Sequence, residues 1–308
     1  MKIVVTLGGN ALLRRGEALS FENQRRNIEK ACAALANLAR KHELILSHGN
    51  GPQVGLIARQ NETYAAADPS VPPYPFDVLG AESQAMIGYM FAQALTNTLR
   101  ARGIDKPIVS IVTRTEVRAD DPAFLHPTKF IGGMMKKEEA EEAARLHGWT
   151  VKEDGKGWRR VVPSPKPLRI VEIEAVRRLA ESGFVVISTG GGGAPVVRTP
   201  EGLAGTEAVI DKDYAGSILA AELNADRLII ATDVEGVFEN WGTPDCRLIR
   251  ETTPAALEAQ GFSAGSMGPK VEAASQFVRT TGKTAVIGRL EDIENLVAGS
   301  AGTVILPD

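Results

Sequence analysis

Ile3-Val4-Val5-Thr6-Leu7-Gly8-Gly9-Asn10 is a short β-branched run broken by two glycines. The pattern returns where Leu44 to Ser47 leads into His48-Gly49-Asn50-Gly51, and again where Val185 to Ser188 leads into Thr189 and Gly190 to Gly193. Continuous apolar runs of this length, without polar alternation, read as strands covered on both faces. Pro107 to Val112, Leu228 to Thr232, Thr284 to Ile287 and Thr303 to Leu306 read the same way. Amphipathic stretches lie between them: Phe21 to Lys41 opening at Ser20, Gln53 to Ala66, Leu79 to Arg102, Ile173 to Ser182, Tyr214 to Asn224 and Lys270 to Thr281. Strands alternating with helices in this order predict an α/β fold around a mainly parallel sheet.

Two stretches interrupt the rhythm. Asp68 to Asp77 carries four prolines, which hold the backbone extended and predict a surface connection. Residues 113–169 contain Asp120-Asp121-Pro122, Gly132-Gly133, an acidic helical pattern over Lys137 to His147, and the hairpin-like Glu153-Asp154-Gly155-Lys156-Gly157, and read as an inserted subdomain. With no repeat and no low-complexity tail, the last strand is expected to be tied into the sheet.

Composition removes several classes of function. The formal charge of −3, from 35 basic against 38 acidic residues, leaves no global field for nucleic acid or an anionic membrane. No run approaches the ~18 apolar residues of a membrane span. Cys32 and Cys246 stand alone, and the four histidines form no H-E-x-x-H or similar pair, which argues against a disulfide framework or a transition-metal site and for a cytoplasmic protein. Glycine is the outlier at 31 residues, and its clusters fall where parallel strands end. Loops there gather backbone N–H groups and a helix N-terminus around an anion. None of them is a P-loop or a dinucleotide fingerprint. Asn10 and Asn50 suit either a ligand donor or a left-handed loop residue, and His48 reads as a packed loop residue without a nucleophile beside it.

Two lysines complete the set. Lys212 stands between Asp211 and Asp213 after the apolar Ala208 to Ile210, and reads as a buried, oriented ion pair in which the carboxylates hold the ammonium or a Mg²⁺ ion. Lys270 follows Ala264 to Pro269 in the first turn of a helix, where it opposes the helix dipole and calls for a nearby anion. Cations and amides aimed at polyphosphate are what phosphoryl transfer requires, and direct transfer needs no nucleophilic His or Cys.

These motifs, taken with Ser83 to Tyr89, Arg159-Arg160-Val161-Val162-Pro163-Ser164-Pro165 and Ala264 to Ala274, resemble the carbamate kinases of the amino-acid kinase superfamily over nearly the whole chain. The resemblance implies a three-layer αβα sandwich with a small protruding subdomain. It also implies reversible phosphoryl transfer between ATP and carbamate, giving carbamoyl phosphate and ADP, with Mg²⁺ on the nucleotide, in a homodimer. Such an enzyme serves either ATP synthesis in arginine or purine breakdown or the making of carbamoyl phosphate for biosynthesis. By the same resemblance Lys212 and Lys270 neutralise the migrating phosphoryl group, Asp213 organises them and Asp211 lies beside it. Gly8, Gly9, Asn10, Gly49, Asn50, Gly51, Gly191 and Gly192 then surround the carbamate and the transferred phosphate, with Gly55, Gly190, Gly193, Gly265 and Gly268 in the same ligand loops. The nucleotide falls near Thr232, Asp233, Val237, Met267, Gly268 and Pro269.

The implied organisation is a lobe over 1–205 for carbamate and phosphate, carrying the 113–169 lid, and a nucleotide lobe over 206–308. Sibling kinases carry a lysine about where Thr6 stands, and carbamate kinases resemble this chain in lacking it and supplying Lys129 from the subdomain. Phe130-Ile131-Gly132-Gly133 replaces the family's Pro-Ile-Gly-Pro, which frees the backbone that aims Lys129. The alternatives are a sibling kinase for another small carboxylate or a nucleoside monophosphate, and a nucleotide-binding protein without turnover.

Overall fold

The computed structural model describes residues 1–14, 16–155, 157–262 and 267–308, and the backbone but not the side chain of Asn10. In the first half, β1 (Lys2–Leu7), α1 (Phe21–Lys41), β2 (Glu43–His48), α2 (Gly51–Ala67), α3 (Phe76–Ala101), β3 (Ile108–Ser110) and β4 (Arg114–Val117) lead to a compact insertion. The insertion holds β5 (Lys129–Met135), α4 (Lys137–His147), β6 (Thr150–Asp154) and β7 (Gly157–Val162). The chain returns through β8 (Pro167–Ile170), α5 (Ile173–Glu181), β9 (Val185–Ile187), β10 (Ala194–Thr199) and β11 (Gly202–Gly205). Beyond them come α6 (Lys212–Glu222), β12 (Arg227–Thr232), β13 (Phe238–Glu239), β14 (Arg247–Leu248), β15 (Glu251–Thr252) and α7 (Pro254–Gln260). Last are α8 (Gly268–Thr281), β16 (Thr284–Arg289), α9 (Ile293–Ala298) and β17 (Thr303–Ile305).

Among the described residues the central sheet has eight strands in the order β15-β17-β16-β12-β1-β2-β9-β3. Its pairings are parallel except that of β16 with β17. All seven expected strands lie in this sheet. The short β15 was not legible, because two residues carry no periodicity. Side-chain parity builds the three layers. Ile3, Val5 and Leu7 face the core with α1, α3 and α9, while Val4 joins Leu219, Val271 and Phe277 on the other face. Thr6 shares Val4's parity, and that places its hydroxyl beside α6.

Local chemistry sets the helix ends. The Ser20 hydroxyl accepts the Asn23 N–H at 3.2 Å and starts α1 at the expected residue. Pro75 stands extended at φ −70° and ψ 159° ahead of α3, so that helix begins one turn before the expected Leu79. Thr253 caps α7, whose Pro254 opens its first turn.

Two smaller sheets lie outside the central one. β11-β10-β4-β8 joins both ends of the 113–169 stretch to residues 194–205. β5-β7-β6 forms a separate three-stranded sheet over 129–162, with α4 against β6 and β7. Among the described residues no helix is long and apolar enough to cross a membrane, and Cys32 and Cys246 are both free thiols.

Candidate active site

β2, β1 and β12 are parallel neighbours, so the loops that follow them emerge along one edge of the sheet. α6 and α8 bring their N-termini to the same edge. Asp211 caps α6, its Oδ1 accepting the Asp213 N–H at 2.9 Å. That cap orients the next two side chains inward. Asp213, 2% exposed, binds a lysine with each carboxylate oxygen: Oδ1 accepts from Lys212, and Oδ2 accepts from Lys270 Nζ at 3.0 Å. The Thr6 hydroxyl donates to Oδ1 at 3.2 Å. From β5, Lys129 Nζ reaches Asp211 Oδ2 at 2.5 Å.

The five charged groups anticipated from sequence therefore converge. Within these five groups three ammoniums face two carboxylates, and the carboxylate of Asp233 also acts on Lys270. Burial pushes the Asp213 carboxyl up, but the two lysines outweigh it and hold it far below the usual carboxylate range. For Asp211, burial is again outweighed, here by Lys129. Burial, with Lys270 close by, draws the Lys212 ammonium down despite Asp213. Lys270 is raised, because burial is overcome by Asp213. An anion bound beside Lys212 would restore what burial removes from it.

Next to this cluster opens a cavity of about 1310 Å³. Gly8, Gly9, Lys212, Lys270 and Met267 line it on the lysine side, and Thr232, Asp233, Val234 and Gly236 line it after β12. Its walls also include Phe238, Trp241 and Phe262, which the motif reading passed over. The low aromatic content was the available signal, since three of the chain's few aromatics fall in one short region. Such a space, apolar on one wall and cationic on another, suits a nucleotide with its phosphates toward the lysines.

The glycines divide by role. Nothing lies within 4 Å of where a Cβ would stand on Gly9 or Gly51, so both present backbone to open space. Gly8 donates to the Ala231 carbonyl at 3.0 Å, and Gly49 leaves room for the aliphatic stem of Lys212 at 3.4 Å. Gly191 and Gly192, at φ +63° and +97°, are buried, and a Cβ would strike the Asn50 amide and the Ile210 carbonyl. Their requirement for glycine is thus steric. The amides of Gly192 and Gly193 already bond Thr189 and Gly190. Asn50 is itself engaged, donating to Ser83 Oγ at 2.8 Å. The loop residue His48 is 2% exposed, and burial draws its imidazole down to about 4, so it is a neutral packing group.

Three expectations change. Val237 is fully buried in the core behind the β12 loop, its N–H bonded to Thr303 Oγ1 at 2.8 Å, and does not reach the cavity; Val234 and Gly236 line it instead. Gly268 and Pro269 open α8 but do not line the cavity, as Met267 and Lys270 do. Gly55 lies in α2 with a Cβ position 2.4 Å from the Gly132 Cα, so its role is close packing of α2 on β5 rather than ligand contact. Gly265 and the Asn10 side chain lie outside the described residues.

The amino acid kinase family model matches residues 1–289. The chain belongs to the amino acid kinase family, the class that its parallel sheet and lysine-rich edge define. Within that family it groups with the carbamate kinases. It is 54% identical over 303 residues to the carbamate kinase of Escherichia coli strain K12, covering 98% of each chain. Identity to that of Haemophilus influenzae is 50% over 306 residues, covering 99% of this chain and 96% of the other. The solved carbamate kinase from Giardia lamblia bound to AMP-PNP superposes with a TM-score of 0.91 at 42% identity, covering 99% and 98% of the two chains.

Proposed function

We propose that this chain catalyses reversible phosphoryl transfer between ATP and carbamate, giving carbamoyl phosphate and ADP. The observation that carries the reading is the cluster of Lys129, Lys212 and Lys270 on Asp211 and Asp213 at the mouth of a nucleotide-sized cavity. Its three ammoniums can neutralise the charge spread over the oxygens of the transferred phosphoryl group. Carbamate is already an anion and needs no general base, in keeping with a site whose nearest imidazole, His48, is buried and neutral. Asp213 holds Lys212 and Lys270 at fixed spacing, and Lys129 closes over the acceptor from the 113–169 lid. Gly9 and Gly51 offer backbone to the acceptor side, and Thr232, Asp233 and Met267 to the nucleotide. On this reading residues 1–205 serve carbamate and phosphate, and 206–308 serve the nucleotide.

Mg²⁺ enters with the nucleotide. Bound mainly by the nucleotide phosphates, it would have Asp233 on the cavity wall beside it. Such an ion supplies charge neutralisation at the β- and γ-phosphates. The free thiols fit a reducing cytoplasm, and a homodimer is the expected assembly. Purified protein mixed with carbamoyl phosphate and MgADP should form ATP, read by luminescence, and Lys270→Ala should abolish it. No ATP from the unaltered chain, under conditions where it binds nucleotide, would sink the reading.

A further inference from the structure

The motif Arg159-Arg160-Val161-Val162-Pro163 marks this chain's resemblance, yet the lysine and glycine chemistry leaves its second arginine without a task. We propose that Arg160 is a positioning residue that clamps the 129–162 subdomain onto the body of the molecule and thereby sets the reach of Lys129 toward Asp211. The inference rests on the phosphoryl-transfer reading.

Arg160 lies on β7 with its guanidinium 4.5 Å from the Trp149 ring centroid and 4.8 Å from that of Phe76. Trp149 belongs to the subdomain, and Phe76 opens α3 in the body. The cation is therefore held between two rings that belong to different parts of the fold. Its Nη1 also donates to Glu62 Oε1 on α2 at 2.8 Å, with both side chains about four-fifths buried. A planar guanidinium can stack and pair at once, which an ammonium on a flexible stem does poorly.

A short path of contacts leads from this clamp to the reacting end. In the β5–β7 ladder Arg160 is opposite Ile131, and Val162 is opposite Lys129. The next carbonyl, that of Pro163, accepts the Val209 N–H at 3.0 Å. Two residues beyond Val209 stands Asp211, the partner of Lys129. β7 thus carries Lys129 on one side and the Asp211 segment at its end, and Arg160 fixes β7 against α2 and α3. The subdomain spans 34 residues, below the ~40 at which a unit usually holds its own core. Its orientation must come from docking. Ile131 and Val162 supply the apolar part of that docking against Val54, Phe76 and Leu79, and Arg160 supplies the directional part.

The test uses the full chain. Arg160→Ala should lower kcat/KM for carbamoyl phosphate by about 10- to 100-fold, in line with a misplacement of about 1 Å, with the KM for ADP within about twofold. Arg160→Lys should recover part of the loss. In a Lys129→Ala background the same Arg160→Ala change should cost less than about twofold, because the residue it positions is gone. Hydrogen exchange over 129–154 should accelerate while that over α6 and α8 does not. Equal losses in both backgrounds, an equal rise in the KM for ADP, or wild-type kinetics in Arg160→Ala would each overturn the proposal. Should Arg160→Ala fail to fold, Glu62→Gln removes the pairing charge at constant shape, and unchanged kinetics and exchange there would overturn it. If the unaltered chain makes no ATP, the function reading fails, and the exchange pattern alone still decides whether Arg160 holds the subdomain.

Discussion

Gly55→Ala separates stability from catalysis more sharply than a change at the lysines would. In the native backbone the new Cβ stands 2.4 Å from the Gly132 Cα and 2.5 Å from its nitrogen. Carbon atoms settle at about 3.5–4.0 Å, so α2 and β5 must part by about 1 Å. Neither atom is the end of a flexible side chain, and the strain passes into the strand. Lys129 lies three residues upstream on that strand with its ammonium 2.5 Å from Asp211. A shift of that size takes the pair beyond the ~2.7–2.9 Å of a charge-assisted bond. A misplacement of about 1 Å costs about 100-fold in rate, which corresponds to about 2.7 kcal/mol of barrier. Stability moves by less, roughly 0–2 kcal/mol, since overpacking costs ~1–3 kcal/mol while alanine in a helix regains up to ~1 kcal/mol. ATP formation from carbamoyl phosphate and MgADP, alongside a thermal melt, reads both. A rate within threefold of wild type, or a rate loss that merely follows a large drop in Tm, would refute the reasoning.

Three further outcomes follow from the same geometry. Gly80→Ala, in α3 with nothing within 4 Å of the new Cβ, should leave kcat unchanged and raise stability by up to ~1 kcal/mol in denaturant titration. Asp213→Asn leaves Lys212 and Lys270 buried without their carboxylate; it should cost about 3–5 kcal/mol of stability and lower kcat by more than ~100-fold, which calorimetry and steady-state kinetics would check. His48 should make the protein acid-sensitive. Its imidazole titrates near 4 when folded against 6.5 unfolded, so below pH 6.5 only the unfolded chain gains the proton; about 3 kcal/mol of stability is lost as pH falls from 6.5 to 4, and the loss stops below. Denaturant midpoints across that window should flatten in His48→Gln.

Much of the fold was legible because its signals are local. Ser20 announces α1, the β-branched runs announce seven strands, and the acidic stretch over 137–147 is a helix with Glu138 and Glu139 in its first turn and Arg145 and His147 in its last, charges that suit the helix dipole. Elements without periodicity escaped, as the two-residue β15 did. The ion pair of Lys212 with Asp213 was readable for a similar reason, as the partners are sequence neighbours at a capped helix start. Glycine was the less faithful guide. A run of glycines after a strand looks the same whether its backbone faces an open cavity, as at Gly9, or makes way for a neighbouring loop, as at Gly191 and Gly192.

By itself the sequence determined the alternation of strands and helices, the strand edge on which the loops gather, and the residue types available there, because each depends on contacts between near neighbours in the chain. Only the tertiary structure decided that Lys270, 57 residues from Asp213, and Lys129, 82 residues from Asp211, close into one cluster. It also decided that Gly55 meets Gly132, and that Arg160 stands between Phe76 and Trp149. Those distances depend on how the layers pack, on burial that no single segment carries, and on the docking of a subdomain too small to hold its own place.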